Sequence, residues 1–212
     1  MTQTTLTPKA TATRRHILET GHALVLHKGF SGLGLQEILA NSGVPKGSFY
    51  HYFASKEAFG TTLLHHYVET YSDRLTQLLA TPGTGHDRLM RYFRAWISDP
   101  GDPSCPGWAE GCLVVKLSAE VADLSEDMRL VLQGGVTRLI NRTAALIIEG
   151  RDDGSLPEGA DAARLAQVIY QMWLGAALLA RLSRSPAPMA AALSATETLL
   201  ACPASPDPGA MP

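Results

Sequence analysis

Apolar side chains in this chain recur at three- and four-residue intervals and nowhere alternate, so its apolar surface can be buried by helices but not by a sheet. Ile17, Leu18, Leu24 and Val25 form one stripe of a helix over 13–28, and Gly29 stands where glycine ends helices. A short helix carrying Leu35, Ile38 and Leu39 ends at Gly43, and Pro45 opens another over 45–53. Ser55 is expected to cap a long helix to about residue 80. Further helices are predicted at 86–97 and 108–121, then a long one capped by Ser125, a strongly apolar one at 161–182, and a last one ending near 200. The fold class is therefore all-α, a three-helix head followed by a body of about six helices.

Composition agrees. Of the residues, 45% are hydrophobic and 18% charged, which predicts a packed core. No apolar run reaches about 18 residues without a charge, so no membrane span is expected. The segment 1–13 is polar and threonine-rich and lacks the apolar core of a secretory signal, which points to the cytoplasm. Cys105, Cys112 and Cys202 are too few for a disulfide framework and are expected to be free thiols. The chain divides into an arm and head over 1–54, a helical body over 55–201, and a tail over 202–212 whose Pro- and Ala-rich composition predicts disorder.

Net charge is −2, but it is unevenly spread: residues 1–60 carry +3 and the remainder −5. A basic head on an acidic body suits a chain in which only the head meets phosphate. Two short helices joined at Asn41-Ser42-Gly43-Val44 make a helix-turn-helix signal, with Gly43 supplying the positive φ of the tight turn. On the second helix Phe49, Tyr52 and Phe53 fall on one side and Lys46, Gly47, Tyr50 and His51 on the other. A cation, a glycine, a phenol and an imidazole on one short helix suit a major groove.

The run Val44-Pro45-Lys46-Gly47-Ser48-Phe49-Tyr50-His51-Tyr52-Phe53, followed by Ser55-Lys56-Glu57, resembles the recognition helix of the tetracycline repressor (TetR) family and the lysine after it. The resemblance implies a DNA-binding transcriptional repressor that meets a near-palindromic operator as a homodimer through its last two long helices. It gives DNA contacts to Lys46, Gly47, Ser48, Tyr50, His51, Tyr52 and Lys56, and implies neither a cofactor nor a metal. One departure stands out: Leu33-Gly34 occupies the place where the family usually has a Thr or Ser pair whose hydroxyls and N–H groups bind phosphate.

In the body, Gly111-Cys112-Leu113-Val114-Val115-Lys116-Leu117 through Val121, Asp123 to Arg129, and Trp173 to Ser185 are similar to electrophile- and oxidant-sensing members of that family. The resemblance makes Cys112 the sensing thiol. From the residues alone, Cys112 lies near a helix start, where the partial positive charge favours thiolate, and Lys116 follows at i+4. Cys105, seven residues earlier, is a candidate resolving thiol. The plainer alternatives are that Cys112 is a small buried hydrophobe and that Lys116 pairs with Glu120. A lysine of the similar repressors is replaced here by Arg181, whose guanidinium is essentially never deprotonated.

Two rivals remain at this stage. Trp96, Trp108, Tyr92, Tyr170 and Trp173 suit the lining of a pocket for a non-covalent small molecule, with Cys112 inert, or simply a core. An enzyme fits poorly, since no histidine occurs after His86 and no metal-ligand spacing surrounds His65-His66.

Overall fold

The structure is a computed structural model that describes residues 7–102 and 104–202. Among these, nine helices form and no strand, apart from a single bridge between Ser98 and Pro106. The helices are α1 (Pro8–Lys28), α2 (Leu35–Ser42), α3 (Lys46–Tyr52), α4 (Lys56–Ala80), α5 (Gly85–Ile97), α6 (Leu113–Leu124), α7 (Glu126–Asp152), α8 (Ala162–Ser183) and α9 (Ala187–Ala201). They fall into two compact units: residues up to 72 with 116–134, and 73–115 with 135 onward. The tail at 203–212 lies outside the described residues.

The local rules explain most boundaries. Gly29 closes α1 at φ 78° and Gly43 closes α2 in the left-handed region at φ 65°, which only glycine adopts cheaply. The Ser55 hydroxyl accepts from the Ala58 N–H at 3.0 Å, capping α4, and Asp161 accepts from the Arg164 N–H to cap α8. A reciprocal capping box of Thr84 and Asp87 starts α5.

Two helix starts differ from the sequence reading: α1 begins at Pro8 rather than near residue 13, capped by the Thr7 hydroxyl, which accepts from the Ala10 N–H at 3.3 Å, and the start of α6 shifts. The segment 108–111 is a turn, and α6 begins only at Leu113. The reason is that its backbone is committed elsewhere. Trp108 N–H donates to the Ala95 carbonyl at 2.9 Å and Ala109 N–H to Trp96 at 3.3 Å. A Cβ at Gly107 would collide with the same α5 backbone, so the chain passes too close there to coil.

In the first unit the core is Ile17, Leu18, Val25, Leu33, Ile38 and Leu63 around three rings. Phe49, Phe53 and Phe59 lie with centroids 5.1–5.4 Å apart. In the second unit Phe93 stacks on Trp173 at 4.9 Å, and Trp96 meets Tyr170 and Trp173 edge-on. Trp173 Nε1 donates to Thr196 Oγ1 at 2.8 Å, tying α8 to α9. By length and composition α8 could cross a membrane, against the expectation of no such segment. Its buried stripe of Leu165, Ala166, Ile169, Tyr170, Trp173, Ala176 and Ala177 is nevertheless the packing face of a core helix, and it carries Arg164 and Arg181.

Candidate functional site

Helix α3 stands on the ring cluster through Phe49, which is fully buried. That anchoring fixes which residues turn outward. Lys46, Gly47, Tyr50 and His51 are exposed, whereas Ser48 and Tyr52 are half-buried. Lys46 Nζ lies 5.9 Å from the centre of the Tyr50 ring, and Lys56 Nζ lies 4.8 Å from that of Phe30. Neither lysine forms an ion pair among the described residues. A cation, a phenol and an imidazole are therefore exposed together on α3, and a second, half-buried cation, Lys56, opens α4. Leu33 of the Leu33-Gly34 departure is buried, and Gly34 N-caps α2 with no side-chain hydrogen bond, leaving backbone N–H groups at the helix start.

A residue that the sequence reading missed holds the loop before α2. The Glu120 carboxylate, on α6, accepts from the Phe30 N–H at 3.1 Å and from the Ser31 N–H. Partial burial by itself raises its carboxyl, but the Ser31 and Phe30 bonds and the Lys56 charge outweigh burial and hold it below the ordinary value. Lys116, on the same helix, donates to the His27 carbonyl at 3.3 Å, so it is not spent on Glu120. Ser125 donates to Glu57 at 2.8 Å. Nothing in the local sequence marks Glu120, because its partners are backbone groups about ninety residues away.

Cys112 sits one residue before α6 and is 4% exposed, its N–H donating to the Ala109 carbonyl at 3.3 Å. Cys105 is exposed, and its thiol donates to Asp102 Oδ2 at 3.2 Å. That bond first, then slight desolvation and the Asp99 carboxylate, push its thiol above the ordinary value against the opposing Arg74 charge. A thiol so held is a poor attacking group until the Asp102 bond breaks. Beside the 107–110 turn lies a cavity of about 510 Å³, lined among others by Trp96, Glu110, Arg181, Arg184 and Met189. Of the five aromatics expected to line a pocket, Trp96 lines this cavity. Tyr92, Tyr170 and Trp173 are core, and Trp108 carries the Arg74 guanidinium on its face at 4.3 Å. No group of three or more potential metal-ligating side chains occurs among the described residues.

Comparison with known proteins decides the family. The model for bacterial regulatory proteins of the tetR family matches residues 17–59, and that for the tetracyclin repressor-like C-terminal domain matches 85–196. The chain belongs to the TetR family. It is a DNA-binding transcriptional regulator with a helix-turn-helix head, and it is not an enzyme. It is 44% identical over 194 residues to the HTH-type transcriptional repressor NemR of Escherichia coli, covering 91% of this chain and 96% of that one. It is 32% identical to the transcriptional regulator AcuR of Cereibacter sphaeroides, covering 86% and 82%. The crystal structure of reduced E. coli NemR superposes with a TM-score of 0.80 at 43% identity, covering 90% of this chain and 98% of that one. A second TetR/AcrR-family crystal structure gives 0.81 at 54% identity, covering 90% and 99%.

Proposed function

We propose that this protein is a cytoplasmic repressor that holds a near-palindromic operator as a homodimer and lets go when Cys112 is oxidised or alkylated. Residues 1–54 supply the arm and head, and 55–201 the sensing and dimerising body. In the head, Lys46, Gly47, Ser48, Tyr50, His51 and Tyr52 meet the major groove and its phosphates, and Lys56 meets a phosphate. The likeness to NemR, a repressor by name, supports repression.

One observation carries the sensing reading. The helix that starts one residue after Cys112 is the helix whose Glu120 grips the loop entering the helix-turn-helix. A change at the sulfur therefore lies next to the first turn of the helix that carries Glu120. Cys112→Ser tests it. Operator affinity of the wild type is expected to fall at least about tenfold after hypochlorous acid or N-ethylmaleimide, typical of a coupling of 1–3 kcal/mol. The variant is expected to stay bound. Equal release of both would sink the reading.

Gly47 tests the head. A Cβ there meets nothing within 4 Å, and alanine is favoured over glycine in a helix by about 1 kcal/mol. Gly47→Ala is expected to keep or raise the melting temperature while operator affinity drops about tenfold, because only DNA approaches that face closely. Unchanged affinity would place the reading face elsewhere.

A second reading is favoured by the cavity. Its Trp96 wall and two guanidiniums suit a small molecule bound without covalent chemistry. Mass spectrometry after mild oxidation separates the two: an unmodified Cys112 in protein that has nonetheless released its operator supports the cavity.

A further inference from the structure

Two buried hydrogen-bond donors in the body have nothing to donate to. The Tyr170 hydroxyl, on α8, and the Trp96 indole N–H, on α5, are in side chains 1% and 2% exposed, and neither atom has a partner. Their rings meet edge to face at 6.1 Å. The backbone leading to Cys112 is fastened at the same place, through Ala109 to the Trp96 carbonyl and through Cys112 to the Ala109 carbonyl. Burial first, and then the neighbouring Cys112 and Tyr92, push the Tyr170 phenol well above its ordinary value, so it remains an O–H donor at every physiological pH.

Buried donors are nearly always satisfied, and leaving one unpaired destabilises the fold. A thiol sulfur is a weak acceptor and does not relieve them. An oxygen on that sulfur is a strong acceptor. We propose that Tyr170 and Trp96 are a waiting donor pair for the oxygen that oxidation adds to Cys112. They stabilise the sulfenic form and bind the turn before α6 to α5 and α8.

With a peroxide as oxidant the chemistry balances simply. The Cys112 thiolate attacks one peroxide oxygen, an S–O bond forms as the O–O bond breaks, and sulfur loses two electrons. The other oxygen leaves as hydroxide and takes a proton to become water, leaving the Cys112 sulfenic acid. The new oxygen then accepts from the Tyr170 O–H and the Trp96 indole N–H. N-ethylmaleimide instead forms a thioether with no oxygen on sulfur, so alkylation does not call on the pair.

The inference rests on Cys112 as the sensing thiol, and the experiment separates the two. In Tyr170→Phe the ring remains and the unpaired hydroxyl goes. Reduced Tyr170→Phe is expected to melt no lower than the wild type. After a pulse of hydrogen peroxide, its Cys112 sulfenic acid, trapped with dimedone at timed intervals, is expected to decay about tenfold faster, the worth of one buried hydrogen bond. Release of the operator by peroxide is expected to need about tenfold more oxidant on the same ground, while release by N-ethylmaleimide is unchanged. Trp96→Phe is expected to shift the same way and stands in if Tyr170→Phe does not fold. Equal sulfenic lifetimes in variant and wild type overturn the donor pair, as does a loss of the N-ethylmaleimide response in step with the peroxide response. If Cys112→Ser releases its operator like the wild type, it is the sensing reading that has failed.

Discussion

Replacing Lys46 and Lys56 together by alanine is expected to weaken operator binding by about a hundredfold or more at physiological salt, with most of the loss shared by unrelated DNA. Lys46 lies against the Tyr50 ring and Lys56 over the Phe30 ring, and although the Glu120 carboxylate feels the Lys56 charge, neither ammonium is held in an ion pair among the described residues, so both can neutralise phosphate. A dimer loses four cations, so the slope of log affinity against log salt should become shallower by about three to four. Arg94→Ala is the control. It removes one positive charge per chain from the body, where Arg94 pairs with Glu197 at 3.8 Å, and should leave the slope alone. An unchanged slope in the double variant would mean that this face does not meet the backbone. If the loss is confined to the cognate operator, Lys46 reads a base edge rather than a phosphate.

The head was legible because its signals are local. Gly43, Pro45 and Ser55 act within four residues of themselves, and the spacing of Phe49 and Phe53 decides which side of α3 faces inward. The body was legible only as periodicity. Trp96, Tyr170 and Trp173 read as buried, but helical spacing does not say that Trp96 borders a cavity while Trp173 fills the core and bonds Thr196. The start of α6 was misplaced because 108–111 looks helical by composition, whereas tertiary bonds to α5 capture its N–H groups first. Lys116 shows the same limit. Both i+4 partners were reasonable on a helix surface, yet its ammonium reaches a carbonyl of α1. Interactions that close over many residues leave no trace in spacing, and those are the ones that link α6 to the loop at 29–31.

Glutamate at Leu178 and Leu182 is expected to turn the dimer into a monomer at micromolar concentration without unfolding it. These side chains are 57% and 81% exposed within one chain, so their loss removes little intrachain packing. With Val168, Gly175 and Leu179 they form one exposed apolar stripe along α8, opposite the face that packs on α9. Burying one leucine is worth about 1.5–3 kcal/mol, and a twofold axis counts each substitution twice, so the pair is worth about 6–12 kcal/mol, comparable to the roughly 8 kcal/mol that holds a micromolar dimer. Light scattering should show half the mass, melting should stay within a few degrees, and operator affinity should collapse because two half-sites no longer share one ligand. Gly175 sharpens the test. Nothing within 4 Å of its would-be Cβ requires a glycine, although glycine inside a helix costs about 1 kcal/mol against alanine. Gly175→Ala should therefore stabilise the single chain while weakening the proposed dimer, in which the second subunit's helix needs the space. If both effects carry the same sign, or if the double glutamate variant remains dimeric, the subunits meet through some surface other than α8.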